Sequence, residues 1–496
     1  MAYIASFDIG TTNAKGLLVS REGRTSLEFN RSLTTLQKDT AIEQEPEQWL
    51  EAVRDIALEW WRAGIHPREI ALISFSGQMQ DCIPVDAHGK PLRPAILYSD
   101  GRAGHQSDRM KRDIGETSIR EITGNHMDGT LVFPKMIWVK EMEPEIYRQT
   151  AMFLMSSKDY VIHRLTGESV TDPTTASTAG CMNIAQRRWE SDWLQLYGIE
   201  AGKLPAIRAS DEVVGYMTGD AAAYTGFVQG TKVLSGIGDA GAATIGAGAV
   251  RPGDLYAYIG TTGWVAAPVP KVSYVSDSVF NLAYADENLF VAVAPLMNAG
   301  NAYQWAKSVF GRHHNDEKAY DELEQLISAC DRRTNGVLFL PYLNGERCPV
   351  QNPNASGCFI GLRATTTKEE MCCSVLEGVA MAMKQVMEMI APNYRDNRLT
   401  LIGGGSKSGI WNQIIADVLS IEVIVPEESQ YLPSIGAAAA GFLNMGWEQT
   451  YSDFCRRWFS QQRVKRYFPD DVFSAHYEKK YEKYVQLYPA MESLFS

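Results

Sequence analysis

Hydrophobic and polar positions at the start of the chain form short runs that end at turn residues. Residues 3–8 and 16–20 are apolar runs joined by a turn that contains Gly10, and a third run continues near residues 26–31. Short apolar runs bounded by turn residues are typical of β-strands. The chain is therefore predicted to open with a β-meander.

The pattern then changes to a helical repeat. The segment EQWLEAVRDIALEWW follows Glu45-Pro46, and the strand pattern of residues 71–77 comes after it. Apolar side chains of the segment recur at intervals of three and four, which predicts a helix with one buried face. The positions on that face are Trp49, Leu50, Val53, Ile56, Ala57 and Trp60.

Alternating strands and helices continue to about residue 250, where the turn RPGD (251–254) precedes a second start. Residues 254–269 repeat the opening design of strand, turn and strand. We therefore expect two domains, 1–250 and 251–496. Farther on, the pattern predicts helices at 301–310, 367–390 and 434–445, a strand at 399–405, and terminal helices packed on the surface.

Length and composition narrow the class of protein. The 496 residues exceed what one hydrophobic core usually supports, so two domains with a cleft between them are expected. The net charge of -12 is spread along the chain, which disfavours nucleic acid and anionic membranes as partners. No continuous apolar run is long enough for a membrane helix. These features predict a cytoplasmic location.

The same tetrapeptide, Ile-Gly-Thr-Thr, occurs at 9–12 and 259–262, each time in a turn between apolar strands. Such a turn exposes amides and hydroxyls to phosphate oxygens, although either turn could equally be a plain hairpin. Asp8 precedes only the first copy. Because a carboxylate beside phosphate requires a cation, Asp8 is predicted to contact Mg²⁺ through water.

A glycine-rich segment, VLSGIGDAGAATIGAGAV, lies shortly before the second copy. Gly236, Gly238 and Gly241 have the spacing of a dinucleotide-binding turn, but Asp239 would place a negative charge inside it. No acidic residue follows about 20 positions later at the end of a second strand, where a partner for the ribose is expected. Asp239 could instead be a general base or a simple helix N-cap, and the spacing by itself does not decide between these two roles.

Two further segments combine strand ends with polar or glycine residues. Gly403, Gly404 and Gly405 separate a strand from a helix that carries Trp411 and Asn412, so backbone could approach a nucleotide there. The alternative is a tight structural turn. Segment 76–81 (SGQMQD), with Asp100 and Arg102 farther on, offers candidate ligands for sugar hydroxyls. The alternative is that these polar residues simply lie in surface loops.

Taken in order along nearly the whole chain, a set of motifs resembles the FGGY family of carbohydrate kinases, particularly its xylulose kinase branch. The resemblance implies two actin-like, ribonuclease-H-like α/β domains flanking a central cleft, with sugar in the first domain and ATP largely in the second. It also implies phosphoryl transfer from MgATP to a sugar hydroxyl. The motifs are DIGTTNAKG, SGQMQ, LYSDGR, PKMIWVKEMEP, SSKDYVIHRLTG, GIGDAGA, IGTTG, LPYLNGERCP and LIGGGSKS.

The resemblance also implies roles for single residues. Asp239 corresponds to the family's catalytic base and a sugar contact, and Asp8 to the aspartate associated with magnesium. Sugar contacts fall on Gln78, Met79, Gln80 and Asp100. Contacts to ATP and its phosphates fall on Gly10, Thr11, Thr12, Asn13, Lys15, Gly260, Thr261, Thr262, Gly403, Gly404, Gly405 and Asn412.

Two positions depart from the xylulose kinase branch. That branch usually carries His where this chain has Gln80, and Asn where it has Ala240. Both positions lie where substrate hydroxyls are read, and a changed polar ligand shifts substrate preference. For a xylulose kinase the product would be the 5-phosphate. The alternatives are an FGGY kinase for another sugar, polyol or aldonate.

Three other classes of protein stay open at this point. These are an ATPase of the wider actin-like fold, a non-catalytic sugar sensor, and a dinucleotide oxidoreductase. The expected ligands are a small sugar with ATP and Mg²⁺, and the expected assembly is a homodimer.

Overall fold

A computed structural model describes residues 2–38, 40–311, 317–427 and 429–495, and the adjacent histidines 313 and 314 lie outside these ranges. Strands and helices alternate through the first half of the chain. The strands are β1 (Tyr3–Ile9), β2 (Asn13–Ser20), β3 (Thr25–Ser32), β4 (Leu36–Lys38), β5 (Ala41–Gln44), β6 (Ile70–Gly77), β7 (Ile83–Val85), β8 (Ala95–Ile96), β9 (Met152–Leu154), β10 (Val170–Thr171), β11 (Met182–Asn183), β12 (Arg188–Trp189), β13 (Ala206–Ile207), β14 (Val213–Tyr216), β15 (Lys232–Leu234) and β16 (Ile237–Gly238). The helices are α1 (Glu47–Arg62), α2 (Gly104–Ile114), α3 (Glu116–Thr123), α4 (Val132–Met142), α5 (Pro144–Gln149), α6 (Ser157–Thr166), α7 (Pro173–Ala176), α8 (Ser191–Leu196), α9 (Gly219–Thr225) and α10 (Asp239–Gly246).

The predicted β-meander forms the edge of a seven-stranded mixed sheet. Its strand order is β14-β15-β6-β1-β2-β3, and β16 also pairs with β6. Strand β1 runs antiparallel to β2 and parallel to β6, so Ile9 pairs with Ala14 across the first turn and with Gly77 on the other side. The first Gly-Thr-Thr turn therefore lies at the same sheet edge as the end of β6.

The second half of the chain builds a second sheet. The strands of this half are β17 (Leu255–Ile259), β18 (Gly263–Val269), β19 (Phe280–Ala283), β20 (Phe290–Leu296), β21 (Leu338–Leu340), β22 (Cys358–Ile360), β23 (Arg398–Ile402), β24 (Glu422–Pro426) and β25 (Val464–Tyr467), of which β21 and β22 form a separate two-stranded sheet. Its helices are α11 (Gly300–Phe310), α12 (Glu317–Ala329), α13 (Lys368–Ile390), α14 (Gly409–Leu419), α15 (Leu432–Asn444), α16 (Tyr451–Gln461), α17 (Asp471–Tyr484) and α18 (Leu487–Met491).

This second sheet repeats the central pairing of the first. The order is β19-β20-β18-β17-β23-β24-β25, with β17 antiparallel to β18 and parallel to β23. Both copies of the tetrapeptide thus join the central strand of a sheet to its antiparallel neighbour. The sequence indicated two matching strand-turn-strand units, and the two units have the same strand pairings in the fold.

Helix α1 covers one face of the first sheet, as its apolar period predicts. All six predicted core positions are buried, and Trp60 lies 5.1 Å from Phe7 between ring centroids. Burial of such large aromatic side chains contributes strongly to the free energy of folding, because the hydrophobic gain scales with the apolar area removed from water.

The other faces of the two sheets are covered by helices from opposite halves of the chain. Helix α15 packs on β1 and β6 of the first sheet, whereas α10 shares a core with Tyr256 and Leu282 of the second. The two helices also cross each other closely: a Cβ on Gly436 would lie 1.9 Å from the carbonyl oxygen of Ala242. The halves are therefore joined by an exchange of helices.

The last helices pack on the surface of the second half, as the sequence predicts, and α18 has no buried residue. Helix α17 also inserts Tyr477 and Tyr484 into the core of the second half. Lys480 pairs there with the buried carboxylate of Glu377. The sequence YEKKYEKY alternates charged and aromatic residues, and only the packing decides which of them face inward. The division of the chain at residue 250 stays a prediction.

Candidate active site

A cleft of about 780 Å³ lies between the two sheets, a size that suits a small-molecule ligand. Residues from both halves of the chain line it. Its wall brings together half of the predicted site residues, namely Asp8, Gly10, Lys15, Gln78, Met79, Gln80, Asp239, Gly403 and Gly404.

Asp8 lies near the end of β1 with its carboxylate buried. Its Oδ1 has no hydrogen-bond partner among the described residues. Burial raises the pKa of Asp8 above its ordinary value, against the opposing influence of Lys15 and Ser76. A buried carboxylate oxygen without a donor fits a cation or a water bound to one. In the described part of the chain, no group of three or more His, Cys, Asp or Glu could hold a metal unaided.

Asp239 is the first residue of α10 and is partly exposed to the cleft. Burial, followed by the negative charge of Asp8, raises the pKa of Asp239 to about 7, although the amide of Ala240 opposes the change. A carboxylate whose pKa lies near neutral pH can accept a proton and release it again. The N-cap of α10 is Gly238, so Asp239 is not the helix cap that the sequence left open.

The segment before Asp239 is held by a buried ion cluster. The Asp172 carboxylate accepts hydrogen bonds from the amide of Gly238 at 3.1 Å and from the Thr175 hydroxyl at 2.6 Å. Lys158 Nζ lies 3.0 Å from Asp172 Oδ1 and also donates to the carbonyl of Ser235. Both ends of the 235–238 segment are thereby fixed to α6 and α7.

The three glycines with dinucleotide-like spacing are explained by close packing. A Cβ on Gly236 would lie 2.2 Å from the carbonyl oxygen of Phe75, and one on Gly238 would lie 2.1 Å from the sulfur of Met79. A Cβ on Gly241 would meet Ile237 at 2.7 Å. These glycines therefore let α10 approach β6 and the cleft.

The first Gly-Thr-Thr turn is tied to the end of β6. The Thr11 hydroxyl donates to Gln78 Oε1 at 2.8 Å, and Gln44 Nε2 donates to the Thr11 carbonyl at 2.7 Å. Gly10 lines the cleft, whereas Thr11, Thr12 and Asn13 do not. The Gln78 side chain is thus engaged within the protein, where it holds the turn.

The second Gly-Thr-Thr turn packs against the start of α11. The amides of Gly300 and Asn301 donate to the carbonyls of Gly260 and Thr261, each at 2.9 Å. The Thr261 and Thr262 side chains stay exposed, but the turn does not line the cleft in this structure.

The glycines after β23 have different surroundings. Gly403 has φ +94°, and a Cβ there would lie 2.5 Å from the Ile259 carbonyl oxygen, whereas Gly404 has no heavy atom within 4 Å of such a Cβ. Gly404 therefore offers open backbone to a ligand. Gly405 packs on Ile259, and Asn412 Nδ2 donates to the Ser406 carbonyl at 2.8 Å, so both support the turn from behind.

On the sugar side, Met79 and Gln80 line the cleft but Asp100 does not. The Asp100 carboxylate is buried and accepts hydrogen bonds from the Arg102 guanidinium and from the amide of Ile42. This geometry does not favour the sugar contact expected for Asp100, because its lone pairs are already used by the protein.

The sequence did not predict several residues that line the cleft. Tyr258 and Trp264 stack at 4.2 Å between ring centroids on the wall of the second half, and Tyr98 and Lys407 also line the cleft. Tyr258 and Trp264 flank the second turn, but an apolar strand pattern does not tell which face meets a cleft. Lys158 falls within the motif SSKDYVIHRLTG, but the sequence does not predict its role or that of Asp172, because Ser235 and Gly238 lie 77 and 66 positions away from them.

The N-terminal domain model of the FGGY family of carbohydrate kinases matches residues 3–246, and its C-terminal domain model matches residues 255–445. A xylulose kinase of Bacillus subtilis (strain 168) is 29% identical over 498 residues, which cover 100% of this chain and 98% of that protein.

Solved structures of kinases resemble the whole chain. The xylulose kinase from Rhodospirillum rubrum has a TM-score of 0.90 at 26% identity and covers 99% of each chain. The gluconate kinase from Lactobacillus acidophilus has a TM-score of 0.89 at 26% identity, covering 99% of this chain and 98% of that one. Within the described residues, none of the helices is both long and apolar enough to cross a membrane.

Proposed function

Because the chain belongs to the FGGY family of carbohydrate kinases, we propose that it phosphorylates a ketopentose such as D-xylulose with MgATP and forms the 5-phosphate. The chain is a sugar kinase with the two-domain α/β fold of this family. The proposal adds the substrate, the phosphorylated hydroxyl and the roles of the residues.

One observation carries the assignment of roles: Asp239 opens onto the cleft with a pKa of about 7, while Asp8 lines the same cleft. A group that must accept a proton from a hydroxyl works best when its pKa is near the working pH. Asp239 is therefore the general base that accepts the proton of the attacking sugar hydroxyl.

Two groups of residues that line the cleft differ in chemistry. Met79 packs against Gly238, the neighbour of Asp239, and forms the sugar side together with Gln80, whereas Gly404 and Lys407 offer open backbone and positive charge for ATP. Lys15 Nζ donates to the Gln430 carbonyl across the halves and is the second cation on this wall. Basic side chains and free amides suit phosphate oxygens.

Asp8 would hold magnesium, directly or through water, with its unpartnered carboxylate oxygen. Mg²⁺ bound with ATP neutralises the charge of the phosphates and polarises the group being transferred. Lys15, which lowers the pKa of Asp8 against the effect of burial, keeps the carboxylate competent to bind a cation. The apolar wall of Tyr258 and Trp264 limits the access of water, which competes with sugar for the phosphoryl group.

The test is a coupled ADP-release assay over D-xylulose, D-ribulose, xylitol, D-gluconate and aldoses. The expected result is sugar-dependent ADP release that is largest with D-xylulose. The gluconate kinase similarity makes D-gluconate the rival substrate, and a larger response to it would overturn the ketopentose assignment. Binding of a sugar without any ADP release would instead identify a sensor.

The role of Asp239 is tested by Asp239→Asn, which keeps the size of the side chain but cannot accept the proton. Loss of a general base lowers kcat by about 10² to 10⁴-fold. ATP affinity, measured by calorimetry, is expected to stay within about threefold of wild type. Asp220→Asn is the matched control, because Asp220 lies in the first turn of α9 on the surface. Parental turnover of Asp239→Asn would show that another group is the base.

A further inference from the structure

Gln80 holds an unusual backbone conformation on the wall of the cleft. Its φ is +69°, in the left-handed region that residues other than glycine rarely adopt. The buried Lys135 donates from Nζ to the Gln80 carbonyl at 3.1 Å and to the Leu97 carbonyl at 2.7 Å. Strained backbone that is held in this way at a ligand cleft indicates that the direction of the side chain matters.

A chain of hydrogen bonds fixes the Gln80 carboxamide. Gln80 Nε2 donates to the Thr130 hydroxyl oxygen at 2.7 Å. The Thr130 hydroxyl in turn donates to Asp128 Oδ1, which also accepts from the Thr130 amide at 2.7 Å. His126 Nε2 lies 3.1 Å from the other oxygen of Asp128. Each of these partners lies on the loop before α4, about 50 residues from Gln80.

The direction of the protons follows from the chemistry of Asp128. Burial favours its protonated form, but hydrogen bonds from His126 and Thr130 outweigh burial and lower its pKa well below the ordinary value. An ionised carboxylate can only accept hydrogen bonds, so the Thr130 proton must point to it. The Thr130 oxygen can then only accept from Gln80. The side-chain nitrogen Nε2 of Gln80 is therefore the atom bound to Thr130, and the side-chain oxygen Oε1 is free to accept a hydrogen bond.

We propose that Asp128 and Thr130 are positioning residues that make Gln80 present a hydrogen-bond acceptor to the substrate, so that the site selects neutral polyhydroxy sugars and rejects sugar acids. In the described part of the chain Oε1 has no hydrogen-bond partner, and Gln80 lines the cleft. An acceptor binds a sugar hydroxyl, which is a donor, but repels the carboxylate of an aldonate. This inference rests on the proposed sugar kinase function and narrows its substrate class.

The charges around Gln80 also disfavour a sugar carboxylate. Asp128, whose pKa is lowered by its hydrogen bonds against the effect of burial, is two hydrogen bonds away from Gln80, and Asp239 shares the cleft. The nearby cation Lys135 is fully buried and engaged with two carbonyls. Among the described residues that line the cleft, the basic side chains are Lys15 and Lys407, both assigned to the phosphate end. A sugar carboxylate would therefore lose its hydration without gaining a cation.

The experiment compares D-xylulose, xylitol and D-gluconate with the full-length wild-type protein and with Thr130→Val and Thr130→Ser. Valine keeps the shape of threonine but removes the hydroxyl, whereas serine keeps the hydroxyl. Thr130→Val is expected to raise the KM for the neutral sugar about tenfold, since one oriented hydrogen bond is lost, with little change in kcat or in the KM for ATP. Thr130→Ser is expected to restore the KM to within about threefold of wild type.

A second variant, Asp128→Asn, guards against a local packing effect of valine. The neutral asparagine side chain can donate as well as accept, so it no longer fixes the direction of the Thr130 hydroxyl proton. The same rise in sugar KM is therefore expected. Thermal unfolding checks that each variant is folded. An unchanged sugar KM in folded Thr130→Val and Asp128→Asn would overturn the positioning role, and so would a wild-type preference for D-gluconate.

Sugar binding is also measured directly by calorimetry with the wild-type protein in the absence of ATP, which separates this inference from the proposed reaction. If wild type transfers phosphate to none of the sugars, the kinase assignment fails, yet calorimetry still decides the inference. Tighter binding of D-xylulose or xylitol than of D-gluconate, weakened by Thr130→Val, supports it. Binding of D-gluconate alone, or of no sugar, overturns it.

Discussion

The carboxylate of Asp172 accepts a hydrogen bond from the amide of Gly238 at 3.1 Å, one residue before Asp239. Asp172 thereby fixes the backbone that carries the proposed base, and its charge also helps to raise the pKa of Asp239. The same carboxylate pairs with the buried Lys158, which holds Ser235. The cluster therefore fixes the position of Asp239, and it adds to the effects of burial and of Asp8, which are the larger causes of the raised pKa of Asp239.

Replacement of Asp172 by asparagine should change the pH dependence of the reaction. Removal of the negative charge lowers the pKa of Asp239, so the acidic limb of kcat/KM should move to lower pH. It should also weaken the buried pair with Lys158 and reduce the free energy of unfolding by about 3 kcal/mol. The two effects are measured by a pH profile and by urea unfolding.

Asp159→Asn is the matched control for this change. Asp159 pairs with the same Lys158 at 2.6 Å, but it makes no hydrogen bond to the 235–238 segment. We expect a similar loss of stability without the shift of the pH limb. An unshifted pH limb in folded Asp172→Asn would show that the cluster acts on stability alone, and equal shifts in both variants would show that the effect does not depend on Asp172 itself.

The wild-type enzyme should lose activity below neutral pH. A general base works only in its ionised form, and the pKa of Asp239 is raised to about 7 by burial and by Asp8. The rate constant kcat/KM should therefore rise with pH up to about pH 7 and fall about tenfold per unit below it. A constant kcat/KM between pH 5 and pH 8 would contradict the assignment of Asp239 as the base.

Asp8→Asn should weaken the response to magnesium. The neutral amide supplies a weaker ligand than the buried carboxylate, so the Mg²⁺ concentration for half-maximal rate should rise about tenfold or more at fixed ATP. Wild type should lose its activity in excess chelator and regain it with added Mg²⁺. Unchanged magnesium dependence in a folded Asp8→Asn protein would remove Asp8 from the metal site.

Gly436→Ala tests the crossing of the two central helices. A Cβ at this position would lie 1.9 Å from the Ala242 carbonyl oxygen, and backbone at that contact cannot move aside cheaply. The expected loss is about 1–3 kcal/mol of unfolding free energy, despite the better helix propensity of alanine. Gly104→Ala is the control, because a Cβ there has no heavy atom within 4 Å. Similar unfolding midpoints for the two variants would contradict the close contact.

Local sequence patterns were sufficient for much of the fold. The apolar period of residues 49–60 predicted α1 and its buried face, and short apolar runs predicted β1, β2 and β6. Family motifs gave the two-domain kinase fold, which is confirmed. These predictions succeed because periodicity and turn residues depend on neighbours in the chain. They also placed Asp8, Asp239 and Gln80, which meet at one cleft.

The tertiary structure alone decided what each buried or polar face contacts. Periodicity shows that α10, α15 and α17 have apolar sides, but it does not show that α10 and α15 cover the opposite sheets or that α17 enters a core. Likewise Asp172 meets Gly238 across 66 positions and Thr130 meets Gln80 across 50. Hydrogen bonds of this kind depend on how distant segments pack, so the repeated Gly-Thr-Thr turn was visible in the sequence and its supporting network was not.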